Sequence, residues 1–373
     1  MKTLSIKIYS FFNNDKFKIS LFILLVFLSV FSIYTLQPKI SGDSVTYVQS
    51  MDVLRYGVTP SDFAPNRIVT SYLGLRLIMF ITLLTTNLPF SWLLLNSLLY
   101  IFMGMFFYSL LVKIINIPKV AFLSTLFLVT NYSAVVFGLG YLLDIGGWAF
   151  YIISLYYSYR YLETREKSFL YFAAGVIGIG GLFKEYAFLA FVVVFGLIIF
   201  NYWKDWKNII NKIFITGLLA FVPMLILNIH VFSIYHYTYL DWFFNQPHYV
   251  YNSRILEYIK SFGSLYNFGW FLFLGGVYIL FKRSKEILRD KNILFIWLVV
   301  ISSLIVFVWP VVTRVLFITI PGVVLVSSLF IQRMEKKWYL VVGLLILYVL
   351  SSYFMDAYIL NIVNIDSLLS HIL

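Results

Sequence analysis

Residues 19–36 read ISLFILLVFLSVFSIYTL, eighteen positions without a single charge. A helix rises 1.5 Å per residue and the hydrocarbon core of a bilayer is about 30 Å thick, so ~20 apolar residues make one crossing. The stretch reads as a membrane-spanning helix. Lys2, Lys7, Lys16 and Lys18 precede it, as basic residues precede a signal peptide. It is long for such a segment, however, and no small-x-small cleavage site follows. An uncleaved first helix is the better reading.

The same ruler, carried outward along the chain, marks ten more candidates. They lie near 90–112, 119–138, 145–161, 168–183, 186–203, 213–230, 267–281, 292–309, 315–331 and 338–355. Composition agrees, with 61% hydrophobic and only 12% charged residues, about half the charge of a typical soluble domain. The chain has no cysteine, which excludes disulfides, thiolate metal sites and cysteine nucleophiles. The formal charge of +12 sits in short basic clusters between apolar runs. That is the pattern of cytoplasmic loops, not of a nucleic-acid surface. No long linker or internal repeat divides the sequence, so residues 1–373 are expected to form a single all-α transmembrane bundle.

One run, 68–86, is ambiguous because Arg67 opens it and Arg76 lies inside it. If it does not cross, eleven spanning helices put the amino terminus and 20 of the 28 Lys and Arg residues on the inner side. If it does cross, nearly every later basic loop falls outside, against the bias that orients membrane proteins. We therefore expect an interfacial or re-entrant helix within a large first outer loop, residues 37–89. Trp203, Trp206, Trp309 and Trp338 fall near expected helix ends, where indoles prefer to sit.

This topology brings ionisable residues from distant parts of the chain to the outer end. Asp43 lies in Ser41-Gly-Asp-Ser, Asp144 in Gly140-Tyr-Leu-Leu-Asp-Ile-Gly-Gly, and Lys184 beside Glu185 between two apolar runs. Arg314 closes Trp309-Pro-Val-Val-Thr-Arg, and Arg67 belongs to the first outer loop. Ionisable groups at membrane depth are costly and are usually paired or functional. Each also has a plainer reading. Asp43 and Asp144 suit helix caps, Lys184 and Glu185 a local pair or snorkelling side chains, and Arg314 a headgroup anchor. His230, His236 and His248, in or beside the outer loop 231–266, match no metal-binding spacing and read as interfacial histidines.

The Ser41-Gly-Asp-Ser motif after the first helix, the Asp144 that starts a helix a hundred residues later, and Gly175-Val-Ile-Gly-Ile-Gly-Gly-Leu-Phe-Lys-Glu together form a pattern. With the later Arg314 and Pro321, they resemble the GT-C superfamily of integral membrane glycosyltransferases. Protein O-mannosyltransferases and lipid A aminoarabinose transferases are among its members. The resemblance covers residues 20–205, with the helices of 206–373 matching more loosely. It differs in two respects: residues 206–373 are expected to form further helices and not a soluble carboxy-terminal domain, and a single Asp43 replaces paired acidic residues.

The resemblance implies sugar transfer from a polyprenyl-phosphate donor to a hydroxyl on a glycan, lipid or protein acceptor. It further implies a site on the outer face of a membrane, here a prokaryotic cell membrane. Asp43 is the expected catalytic base, its pKa raised by partial desolvation. Lys184, Arg314 and Arg67 are expected to hold the phosphate. Asp144 and Glu185 are expected to orient sugar or cations, or to bind a divalent cation, Mg or Mn, as a candidate cofactor. A transporter or flippase for a lipid-linked glycan is the competing class. It predicts inverted repeats and midplane sites, whereas the ionisable residues here lie at helix ends.

Overall fold

The computed structural model describes residues 15–57, 63–245, 254–286, 290–308 and 313–358, and no strand occurs among them. In chain order the helices are α1 (Lys16–Leu36), α2 (Asp43–Tyr56), α3 (Asn66–Thr85), α4 (Leu88–Ile115), α5 (Pro118–Val129) and α6 (Asp144–Thr164). Next come α7 (Lys167–Gly181), α8 (Ala190–Tyr202), α9 (Trp206–Tyr235), α10 (Tyr239–Asn245), α11 (Arg254–Tyr266) and α12 (Trp270–Arg283). The last four are α13 (Lys291–Leu304), α14 (Thr313–Leu316), α15 (Ile320–Arg333) and α16 (Trp338–Tyr358).

Among the described residues eight stretches are long and apolar enough to cross a membrane, including Lys16–Leu36, Leu88–Ile115, Trp206–Tyr235 and Thr313–Arg333. Pro118–Val129, Lys167–Gly181 and Lys291–Leu304 are shorter apolar helices. The chain is thus a helical bundle of the integral, multi-pass kind. Its outer surface is greasy, with Ile23, Leu83, Leu225 and Leu350 largely exposed, as a lipid-facing surface requires.

The helix starts follow from local chemistry. Asp15 caps α1 by accepting from the amides of Phe17 and Lys18 at 3.1 and 3.3 Å. Asn87 caps α4 by accepting from Phe90 N at 3.0 Å, with Pro89 in the first turn. Those caps satisfy amides that have no partner inside a helix. In α9, Pro223 removes the donor that Leu219 C=O needs. A Cβ added at Gly178 of α7 would lie 2.4 Å from that carbonyl oxygen, so only glycine lets α7 pack so closely there.

Two expected helices and one expected loop differ in the structure. The run expected at 119–138 ends at Val129 because Asn131 turns its amide outward, accepting from Ser133 N and donating to Leu265 O and to Tyr348 Oη. A π-helical turn, Ser133–Phe137, follows. The run expected at 213–230 extends over Trp206–Tyr235, because buried Lys212 finds the Tyr171 hydroxyl at 2.7 Å. The loop expected over 231–266 contains α10 and α11, and α11 leads through a 3-10 turn at Asn267–Gly269 into α12.

Hydrogen bonds and ion pairs define the two ends of the bundle. At one end Tyr108 Oη donates to Asp15 (2.5 Å), Lys113 meets Glu163 (2.8 Å), and Tyr159 Oη donates to Asn292 (2.6 Å). Asn292 in turn donates to Ile114 O at 3.0 Å. The opposite end gathers the start of α2, the start of α6 and the turn between α7 and α8. One continuous apolar core runs from Leu21 to Tyr348.

Helix α3 has the length and composition for a crossing, yet its contacts keep to the second end. Arg67 at its start pairs with Asp43. A Cβ on Gly74, near its middle, would meet Leu143 and Phe183. Its far end turns at Thr85, whose hydroxyl bonds Ser91, into Trp92, whose indole donates to Leu142 O. The helix kinks at Ser71 (φ −151°, ψ 27°). That break frees the amide of Leu73 to donate to Leu182 O at 2.9 Å. A satellite apolar cluster of Val53, Ile68, Val69, Met224, Leu227 and Val231 seats α2 and α3 on α9.

Candidate functional site

Asp43 opens α2 but does not cap it. The helix has Gly42 as its N-cap residue, at φ +54°, with no side-chain capping bond. The nearby polar bonds are made by Ser44, whose Oγ accepts from Ser41 N and donates to Ser41 O. This leaves the Asp43 carboxylate to two arginines. Arg67 Nη2 lies 2.9 Å from Oδ1, and Arg314 Nη2 donates to Oδ2 at 2.5 Å.

Arg67 is further held by Thr46 and Tyr47, one turn along α2. Its Nε donates to Thr46 Oγ1 at 2.9 Å, and its guanidinium lies 4.8 Å from the centre of the Tyr47 ring. Side chains three and four positions apart share a helix face, so Asp43, Thr46 and Tyr47 form one surface for the guanidinium. Arg314 pairs with the Asp43 carboxylate and is itself 26% exposed. The Asp43 side chain is 39% exposed.

Burial by itself would raise the Asp43 carboxyl. The Arg67 and Arg314 guanidiniums, with Lys184 further off, outweigh it and hold the group below the usual carboxylate range. This corrects the sequence expectation of a raised value, since opposite charges at contact distance favour the ionised form.

Lys184 and Glu185 occupy the turn between α7 and α8, both almost fully buried. They pair only loosely, with Lys184 Nζ 3.9 Å from Glu185 Oε2, and that oxygen has no hydrogen-bond partner. The turn lies close to α6 because Gly146 and Gly147 leave room for it. A Cβ at Gly146 would sit 2.6 Å from Phe183, and one at Gly147 2.7 Å from Lys184 Cβ. Asp144, the residue before Ile145-Gly146-Gly147, is 2% exposed and makes no side-chain cap bond. It lies within electrostatic range of Arg314, Lys184 and Arg67.

The structure therefore brings together every residue expected from sequence to form the site: Asp43, Arg67, Asp144, Lys184, Glu185 and Arg314. Three carboxylates face three cations. Thr46, Tyr47 and Tyr186 are site neighbours that the sequence reading missed. Their signal was helical spacing from Asp43 and adjacency to Glu185, which is faint in a chain with 29 tyrosines. Arg76 stands apart, over the Tyr72 ring. His230 and His236 are exposed on α9 and just after it, while His248 lies outside the described residues.

A divalent cation does not fit this arrangement. Among the described residues no three His, Cys, Asp or Glu side chains converge as metal ligands, and both oxygens of Asp43 already face guanidiniums. What the cluster offers is a set of buried and partly buried cations around the partly exposed Asp43, suited to an anion.

The fold and the cluster together define a class, a polytopic helical membrane protein with an ionised site at one end of its bundle. No protein-family model matches the sequence, and no curated protein matches it.

Proposed function

We propose that the protein is a membrane glycosyltransferase of the GT-C type. It moves a sugar from a polyprenyl-phosphate donor to a hydroxyl acceptor at the outer face of the membrane. The observation that carries the reading is the convergence of Arg67 and Arg314 on Asp43, with Lys184 buried beside them. Cleaving a bond between an anomeric carbon and phosphate passes through an oxocarbenium-like state. Negative charge grows on the departing phosphate as positive charge grows on the sugar. Preorganised cations stabilise the first, and an ionised carboxylate stabilises the second.

In this account a phosphate oxygen takes donors from Arg314, the most exposed of the three cations, with Arg67 and Lys184 behind it. Asp43 positions both guanidiniums and presents its charge to the sugar. A carboxylate held at low pKa suits that electrostatic role better than proton abstraction. Asp144 and Glu185 hold Lys184 and Arg314 or meet sugar hydroxyls.

The orientation belongs to the same proposal. Eleven passes alternate between the two ends, with α3 lying along one of them, and the basic loops cluster at the other. The amino terminus is then inside and the Asp43 cluster outside. The test is transfer of radiolabelled sugar from polyprenyl-phosphate donors into membranes, comparing wild type with Asp43→Asn at matched, folded expression. The expected result is a loss of about 100-fold or more, the scale of removing a preorganised transition-state contact. Equal transfer removes Asp43 from the chemistry. No transfer by wild type from any donor favours a flippase.

A further inference from the structure

A chamber of about 720 Å³ opens behind Glu185, between the Glu185–Leu189 turn, α9 and α10. Phe188, Phe221, Leu225, Ile229 and Phe232 supply much of its wall. Glu185, Asn228 and Thr238 also line it, and two of these three are already engaged. Asn228 Nδ2 donates to Met224 O at 2.8 Å, and its Oδ1 accepts from Tyr239 N at 2.7 Å. Thr238 Oγ1 donates to Asp241 at 2.7 Å.

Glu185 is the exception. It is 4% exposed, Oε2 has no hydrogen-bond partner, and Lys184 Nζ at 3.9 Å is beyond hydrogen-bond reach. A buried carboxylate short of donors is costly. A ligand that brings a hydroxyl to this wall relieves that cost, and one that brings another negative charge adds to it.

We infer that this chamber seats the acceptor, and that the acceptor is an uncharged lipid whose chain fills the apolar walls and whose hydroxyl donates to Glu185. The inference rests on the transferase reading and gives it an acceptor class. Charge sorts the two lipids: the anionic donor head is held at Arg67 and Arg314, and the neutral hydroxyl is taken at Glu185. In the transfer step the acceptor oxygen bonds to the anomeric carbon as the bond from that carbon to the phosphate oxygen breaks. The electron pair leaves with polyprenyl phosphate, and the hydroxyl proton passes to Glu185. Asp43, occupied by two guanidiniums, is the positioning group in this step.

The test is photo-crosslinking of the full chain in lipid nanodiscs with a diazirine-bearing prenyl alcohol and, separately, its phosphate ester. The alcohol is expected to label residues 221–240. Labelling should fall at least about fivefold in Glu185→Gln, the scale of one hydrogen bond to a charged group. It should fall similarly in Leu225→Trp, which blocks the chamber from a largely exposed position and so spares the fold. Arg314→Lys should leave alcohol labelling unchanged and reduce labelling by the phosphate ester.

Equal alcohol labelling in wild type, Glu185→Gln and Leu225→Trp overturns the inference. So does preferential labelling of residues 221–240 by the phosphate ester, which would assign the chamber to the donor's tail. Labelling needs no turnover, so the expected pattern in a protein that transfers no sugar supports the seat and defeats the transferase reading alone.

Discussion

Asp43 meets Arg67 with one oxygen and Arg314 with the other, and this geometry dictates how it titrates. Its folded-state pKa lies below the ordinary 3.8 because the guanidiniums outweigh burial. A group with a depressed folded pKa stabilises the fold above its unfolded pKa and loses that contribution as pH falls through the folded value. The difference in melting temperature between wild type and Asp43→Asn should therefore be constant above about pH 5. It should shrink as the pH drops below about 4. A difference that instead disappears near neutrality would mean that Asp43 is not paired as described. At neutral pH the loss should be about 1 kcal/mol, since the site is partly exposed and screened.

Arg314→Lys keeps the charge but not the planar fork. Sugar transfer by that variant should drop by about tenfold or more while the melting temperature barely moves. The six ionisable residues were legible in the sequence because charges are rare in this chain and these fall at helix ends. Thr46 and Tyr47 were not, because their roles depend on sharing a helical face with Asp43. The sense of the Asp43 shift was also hidden, since it depends on Arg314, 271 positions away.

At the scale of elements, glycines and a kink bring distant segments to the site. Gly147→Val should force the Lys184 turn away from α6, because even a Cβ there would meet Lys184 Cβ at 2.7 Å. Overpacking of this kind costs about 1–3 kcal/mol. Because the displaced residue is Lys184, transfer should fall further than thermal stability alone accounts for, which paired activity and unfolding measurements would show. The cores of the apolar helices were readable from run length. Their ends were less so wherever a side chain overrides hydrophobicity, as Asn131 does after α5 and Lys212 does within α9. Helix α3 shows the same limit. Its composition allows a crossing, and the proposal that it lies along one end rests on the Arg67–Asp43 pair, the Leu73–Leu182 bond and the turn into Trp92.

For the whole molecule, the division into two ends carries the functional argument. The chain has no native cysteine, so single-cysteine variants report sidedness cleanly. Thr86→Cys, just beyond α3, should react with an impermeant maleimide added outside intact cells. Lys167→Cys, at the start of α7, should react only after permeabilisation. Thr86→Cys reacting only after permeabilisation would make α3 a crossing and separate the residues assigned to the outer site.

The most direct test of the central claim follows the fate of the donor in proteoliposomes. Polyprenyl-phosphate sugar, radiolabelled in the sugar, is supplied with lipid acceptors, and both cleavage of the sugar–phosphate bond and movement of intact donor between leaflets are measured. We predict that wild type cleaves the bond and passes label to acceptor, that Arg314→Gln at equal folding does neither, and that intact donor does not change leaflet. Label crossing on uncleaved donor, at a rate that Arg314→Gln abolishes, would contradict the account and identify the cluster as a transport site.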